Sequence, residues 1–185
     1  DSTFFHASIP GLINAVYNGA KFVLIVLDNQ ITAMTGHQPN PAAGISSSGE
    51  KTETIKIEDI AKACGVENVV VVDPFNVRDM RKAIREASEL GQLSVIVARQ
   101  VCTLQVVAEK RKKGEYVPTY VIDPEACKDC EVCYKIYACP AISKDREKLK
   151  PEIDESLCLG CGVCATLCPY KAIKARRKEA TSKNE

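Results

Sequence analysis

Eight of the ten cysteines in this 185-residue chain lie between Cys127 and Cys168, in a pattern that occurs twice. Ile122-Asp123 leads to Cys127, Cys130, Cys133 and Cys139-Pro140; 31 residues further on, Ile153-Asp154 leads to Cys158, Cys161, Cys164 and Cys168-Pro169. Ala141-Ile142 follows the first copy and Ala172-Ile173 the second. Three cysteines at two-residue gaps let one tight loop offer three thiolates to three irons of a cube, and the fourth ligand must come from elsewhere. In runs of this kind the cysteine before the proline serves the other cluster. The pattern therefore reads as two [4Fe–4S] clusters. Cys127, Cys130, Cys133 and Cys168 hold one; Cys158, Cys161, Cys164 and Cys139 hold the other. The two related halves imply a pseudo-twofold α+β ferredoxin-like module whose task is moving single electrons.

The copies differ in two ways. Five residues separate Cys133 from Cys139, against three between Cys164 and Cys168. The second loop carries Gly160 and Gly162, which allow positive φ and a close backbone approach to cluster sulfur. The first has Asp129 and Glu131 there, and their negative charge is expected to lower the potential of the neighbouring cluster. Zinc and disulfides fit less well, because zinc sites space C-x2-C pairs a dozen or more residues apart. Cys64 and Cys102 stand alone and read as core thiols.

A formal net charge of +1 gives no electrostatic case for nucleic acid or an anionic membrane surface. Eight thiolates on two oxidised cubanes would add roughly −2 per site and make the loaded protein mildly acidic. No charged start leads into an apolar run, and no apolar stretch of 18 residues is present, so the expectation is a cytoplasmic protein without a membrane span. The sequence opens at Asp1, inside a motif, and reads as the C-terminal part of something longer.

Residues 1–105 have α/β grammar. Leu12, Ile13, Val16 and Tyr17 recur at helical spacing, and the run 21–27 (KFVLIVL) is continuously apolar, as a strand buried on both faces would be. A short helix from Glu58 stops at Gly65, a second buried strand covers 69–72, Asn76 caps a helix ending before Gly91, and a third buried strand covers 93–98. Such alternation means a parallel sheet wrapped by helices. Between Thr32 and Thr54 runs a Gly/Pro/Ser/Asn-rich loop of a length that is usually functional. The expected domains are 1–105, a charged linker 106–117, the cluster module 118–175 and a polar tail 176–185.

At the head of the α/β part, Asp1 and Asn29 lie 28 residues apart, the latter just after a strand. The run Asn29-Gln30-Ile31-Thr32-Ala33-Met34-Thr35-Gly36-His37-Gln38 resembles the cofactor loop of 2-oxoacid:ferredoxin oxidoreductases. Together with the opening run 1–20 and the C-terminal cluster module, the chain is similar throughout to the alpha subunits of the indolepyruvate:ferredoxin oxidoreductases. The resemblance implies thiamine diphosphate held through Mg2+, with Asp1, Asn29 and the carbonyl of Ile31 as ligands and Thr35 and Gly36 near the diphosphate. The glycine preceding the aspartate in that pattern would fall before residue 1. It also implies oxidative decarboxylation of an arylpyruvate such as indolepyruvate. Coenzyme A takes the acyl group, and electrons pass through the clusters to a soluble ferredoxin. A smaller beta subunit is the implied partner, and a pyrimidine-side domain carrying the activating glutamate lies upstream, so this part alone is expected to be inactive. His6 is the candidate proton-handling residue, with His37 second. Two alternatives stay open: an electron carrier with a non-catalytic α/β docking domain, and the same chemistry on pyruvate or another 2-oxoacid.

Overall fold

The structure is a computed structural model and describes residues 1–144 and 150–176. Nearly all of the expected polar tail lies outside the described residues. The chain divides into two units, Asp1–Cys102 and Thr103–Glu185.

The first unit opens with a π-helical turn, Phe4–Ser8, running into α1, Ile9–Tyr17. Then come β1 (Val23–Asp28), α2 (Ile57–Ala63), β2 (Asn68–Val72), α3 (Val77–Glu89) and β3 (Ser94–Arg99). The three strands are parallel in the order β1-β3-β2. Alternate residues of a strand face opposite sides, and both sides of β3 are apolar. Val95 and Val97 meet Phe4, Leu12, Ile57 and Ala61 on one face, while Ile96 meets Ala83 and Ala87 of α3 on the other. The helix ends are set locally. The Asn76 side chain accepts from the Asp79 amide at 3.3 Å, and Gly65 takes φ +97° just after α2.

One expectation about this sheet is corrected. The run 21–27 is not buried on both faces, for Ile25 is 38% exposed and Leu27 70%, nor is the strand over 69–72, where Val70 is 37% and Val71 43% exposed. The doubly covered strand is β3, in the centre. β1 lies at the outside of the order, and α3 packs against its Val23 while leaving Ile25 and Leu27 open. Continuous apolarity fits both positions, because an edge strand uses apolar residues on its covered face and still has another face.

The second unit begins with α4, Thr103–Lys112, over residues expected to form a charged linker; its last turn is basic, with Lys110, Arg111 and Lys112. Cations near a helix C-terminus interact favourably with its exposed carbonyl dipoles. After it, β4 (Tyr120–Ile122) pairs antiparallel with β7 (Ile173–Ala175), and β5 (Ile142–Ser143) pairs with β6 (Glu152–Ile153). The strand entering the first cysteine loop is thus tied to the strand leaving the second, and the reverse. α5, Val163–Leu167, lies between Cys161 and Cys168. Cys164, Ile142 and Ile173 form the small core that both halves share.

Candidate functional site

The first group of functional side chains sits where β1 ends. The Cys102 amide donates to the Asn29 carbonyl at 3.2 Å and the Gln100 amide to the Asp28 carbonyl at 3.0 Å, which fixes the chain as it leaves the sheet. The backbone nitrogen of Asp1 donates to the Leu27 carbonyl at 2.5 Å, so Asp1 lies alongside the end of the same strand. The result is a convergence of oxygens. The Ile31 amide donates both to Asp1 Oδ2 at 3.2 Å and to Asn29 Oδ1 at 3.1 Å. Two side-chain oxygens gathered at the carboxyl ends of parallel strands are a donor set suited to a hard cation such as Mg2+, which prefers few protein ligands and leaves positions for phosphate.

Beneath this point lies a charged support absent from the sequence reading. Asp28, 1% exposed, accepts from Arg99 Nε at 2.6 Å, and Arg99 also grips Glu58 at 3.1 and 2.6 Å. The Arg99 hydrogen bonds hold the Glu58 carboxyl below the usual carboxylate range. Asp28 Oδ1 is buried without a hydrogen-bond partner among the described residues. Only the third dimension brings residues 28, 58 and 99 together; the one sequence signal is an acid and a base at the ends of two apolar strands.

The loop after β1 folds back on itself. The Thr32 amide donates to the Gln38 carbonyl at 2.9 Å, Thr35 Oγ1 donates to Gln38 Oε1 at 2.6 Å, and Gln38 Nε2 returns a bond to the Thr35 carbonyl at 2.5 Å. Gly36 has φ +113°, which a side chain would resist, whereas Gln30 and His37 take positive φ without being glycine. The Thr35 hydroxyl therefore spends its proton on Gln38, and Met34 projects fully into solvent. His6 lies exposed on the π-helical turn, with no hydrogen bond to Asp1 or Asn29.

In the second unit the eight cysteines separate into two quartets. Cys127, Cys130, Cys133 and Cys168 line one small cavity of about 20 Å3, whose lining also includes Ile122 and Ile173. Burial, with Cys130, Cys127 and Cys168 close by, pushes the Cys133 thiol above its ordinary value. Burial likewise pushes Cys164 up to about 12, and its neighbours are Cys139, Cys161 and Cys158. Each quartet thus contains three cysteines of one loop and the pre-proline cysteine of the other. Iron would take each sulfur as thiolate, so its binding displaces these protons. Amides already point at sulfur, Asp129 N–H at Cys127 Sγ (3.4 Å) and Ala172 N–H at Cys168 Sγ (3.3 Å). Among the described residues no three His, Cys, Asp or Glu side chains converge to hold a single ion; a cubane asks instead for one sulfur at each of four corners.

The surroundings of the first loop differ from the expectation of bare negative charge. Asp129 pairs with Lys144, Glu131 pairs with Lys135 at 2.7 Å, and the Tyr134 hydroxyl donates to both carboxylates, at 3.1 and 3.3 Å. Lys150 donates to the Cys127 carbonyl at 2.6 Å. The lysine hydrogen bonds hold both carboxyls below their ordinary values, so they are ionised but not uncompensated.

Comparison with known proteins agrees with both units. Residues 1–98 match the family model described as thiamine pyrophosphate enzyme, C-terminal TPP binding domain, and residues 151–174 match the 4Fe–4S binding domain. The indolepyruvate oxidoreductase subunit IorA of Archaeoglobus fulgidus is 50% identical over 94% of this chain, and that of Pyrococcus horikoshii 42% identical over 96%. The chain spans only 27% of the length of either. Pyruvate synthase subunit PorD of Methanothermobacter marburgensis is 45% identical over 31% of this chain and 65% of its own length. Among the described residues no helix is long and apolar enough to cross a membrane. By its first 98 residues the chain belongs to the thiamine pyrophosphate enzymes, whose C-terminal cofactor-binding domain it carries ahead of a 4Fe–4S binding domain.

Proposed function

We propose that this chain is part of a 2-oxoacid:ferredoxin oxidoreductase acting on arylpyruvates such as indolepyruvate, with coenzyme A as acyl acceptor and a soluble ferredoxin as electron acceptor. The observation that carries the proposal is the gathering of Asp1 and Asn29 side-chain oxygens about the Ile31 amide. An electron carrier with a non-catalytic docking domain has no need of that arrangement. Thiamine diphosphate, when bound, would supply the electron sink that decarboxylation requires, the two electrons come from the 2-oxoacid, and each cubane would carry one electron at a time.

The chain's own residues have definable tasks. Asp1, Asn29 and the Ile31 carbonyl hold Mg2+, and the Arg99–Asp28–Glu58 group keeps the end of β1 in place beneath them. Gly36 lets the loop backbone come close to the diphosphate. Thr35 orients the loop through Gln38, and reaches phosphate only by exchanging that partner. His6 sits on the turn after Asp1, exposed toward whatever stands above it, and is the candidate for proton handling at the substrate. Cys127, Cys130, Cys133 and Cys168 hold one cluster; Cys139, Cys158, Cys161 and Cys164 hold the second. IorA-like relatives being about four times longer, turnover belongs to the full-length protein with its smaller partner subunit.

The test is an anaerobic titration of that full-length protein with its partner subunit, following the visible iron–sulfur absorption. Bleaching by indolepyruvate and coenzyme A that requires thiamine diphosphate and Mg2+ is the expected result, with pyruvate much weaker. Clusters reducible by dithionite but indifferent to every 2-oxoacid would leave the electron-carrier reading instead.

A further inference from the structure

The second copy of the cysteine repeat carries a dipeptide that the first lacks. Cys139-Pro140 runs straight into Ala141-Ile142, whereas Tyr170-Lys171 stands between Cys168-Pro169 and Ala172-Ile173. The insertion serves the other lobe's site. Tyr170 lines the cavity of Cys127, Cys130, Cys133 and Cys168, and it is 49% exposed. Lys171 is exposed, takes φ +51°, and donates its amide to the Cys168 carbonyl at 3.2 Å. A left-handed conformation is uncommon for a residue with a Cβ.

The same lobe gathers lysines. Lys128 is exposed and lines that cavity. Lys135 pairs with Glu131, Lys144 with Asp129, and Lys150 donates to the Cys127 carbonyl. With Lys171, five lysines stand on or next to the first-lobe cysteines, against two carboxylates in the loop 127–133. Residues 145–149 lie outside the described residues and hold two acids and two bases. The second loop, 158–164, contains no charged residue, and Leu159 takes the place of Lys128. The turns leading in are acidic in both copies, with Asp123 and Glu125 in one and Asp154 and Glu155 in the other, so the lysines are what separates the lobes. Cys130 and Cys161 are both exposed; exposure does not distinguish the two sites, and charge does. Ile136, 78% exposed in the π-helical turn Val132–Ile136, joins Tyr170 as apolar surface in this basic lobe, the combination a docking face with a polar rim requires.

We propose that the basic face of the first lobe docks the electron acceptor, a small acidic iron–sulfur carrier, and that the cluster held by Cys127, Cys130, Cys133 and Cys168 is therefore the exit of the module. Each cubane on four thiolates brings a charge of roughly −2, so a small carrier built around such clusters is acidic and meets lysines favourably. In the transfer one electron leaves the reduced first-lobe cluster and reduces the carrier's oxidised cluster, with no bond made or broken. This rests on the two-cluster, ferredoxin-reducing reading above and adds to it which lobe faces the acceptor.

The experiment uses the full-length protein with its partner subunit, after iron and sulfide analysis, and a purified acidic two-[4Fe–4S] ferredoxin as the probe. Combined Lys128→Glu and Lys171→Glu substitution is expected to raise the KM for that ferredoxin about tenfold at low salt, chiefly through slower association. Bleaching of the protein's own clusters by indolepyruvate should be unchanged, and so should kcat at saturating ferredoxin. Added salt should raise the wild-type KM and narrow its gap to the variant. Lys82→Glu, an equal change of charge on α3 at a side chain 71% exposed, should leave the KM within about twofold. Fewer than two clusters in the wild type, or wild-type clusters that indolepyruvate bleaches but that pass nothing to ferredoxin, would overturn the underlying reading and this inference with it. Where the wild type reduces ferredoxin, a KM unmoved by the double substitution, or moved equally by Lys82→Glu, overturns the docking face alone. If the double variant loses its clusters, zero-length carbodiimide cross-linking of wild-type protein to the ferredoxin decides. Links at Lys128 or Lys171 support the proposal, and links confined to lysines outside the first lobe overturn it.

Discussion

Asp129 and Glu131 occupy in the first cysteine loop the places that Gly160 and Gly162 occupy in the second, and all four have positive φ, between +51° and +76°. One backbone path is followed twice, yet only one copy uses the residue best suited to it. The reason is what lies outside each loop. A Cβ on Gly160 would run into the Pro118 carbonyl oxygen, and one on Gly162 would lie 2.6 Å from the Tyr120 hydroxyl. The second loop is roofed by the strand entering the module, and only glycine fits beneath it. In the first loop the left-handed positions hold carboxylates instead, and these pair with Lys135 and Lys144. Enclosure by backbone and enclosure by ion pairs are two solutions to shielding a cluster from water.

The largest effect is expected from forcing one solution onto the other lobe. Gly160→Asp places a side chain where backbone already stands, and the second loop cannot close on its cluster. Iron content of the full-length protein should fall by about half, with one set of EPR signals lost. Asp129→Gly, the reverse exchange, should retain both clusters. If Gly160→Asp keeps its iron, the roof is not what dictates glycine.

This asymmetry marks the limit of what the sequence made readable. The repeat and the α/β grammar upstream were legible because each is a local pattern with a fixed period. The roof was not, since Pro118 and Tyr120 meet Gly160 and Gly162 only after β4 is pinned by β7. Asp129 and Glu131 were visible as charges, but Lys144 and Lys150 lie past the loop in sequence and become its counterions by folding. The same holds in the first unit. The apolar run 21–27 announced a strand, but which strand takes the centre of the sheet depends on the pairing of β3 with both neighbours. Asp28, Arg99 and Glu58 lie far apart in sequence, each at or near a strand or helix end. Their union under Asn29 is a tertiary fact.

A middle-sized effect should come from unbalancing the ion pairs. Asp129 and Lys144 are each 26% exposed, so water screens their interaction only in part. Lys144→Met removes the positive member and leaves a carboxylate beside the first-lobe cluster. That cluster's potential should drop on the order of tens of millivolts, since a unit charge at this range and an effective dielectric near 20 contributes on the order of 1 kcal/mol or more. Redox titration at low salt measures it, and the drop should shrink as ionic strength rises. The second loop has no ionised residue at the equivalent positions, so the potential of the cluster proposed there should stay where it was. A drop shared by both clusters would mean that the lysine acts on the whole module.

The smallest effect concerns the turn that begins each copy. The Cys127 amide donates to the Asp123 carbonyl and the Cys158 amide to the Asp154 carbonyl, both at 3.0 Å, so the turns match. Their carboxylates are stabilised differently. Asp123 lies below its ordinary 3.8 chiefly through Lys174, then through the amides of Ala126 and Glu125, whereas Asp154 is lowered by the hydroxyl and amide of Ser156. Because both folded values are depressed, the support they give is complete above the ordinary value and disappears as pH falls through the folded one. Between pH 5 and 8 the turns should therefore be indifferent to pH, and both should loosen only in strong acid. Hydrogen exchange at neutral pH separates the two cases. Asp123→Asn and Asp154→Asn should each lower protection of the following amides a few-fold. Added salt should weaken only the wild-type Asp123 turn, whose largest support is an ion pair, and should leave the Asp154 turn unchanged. Equal salt sensitivity in both would show that Lys174 contributes nothing in solution, and that the two copies begin alike.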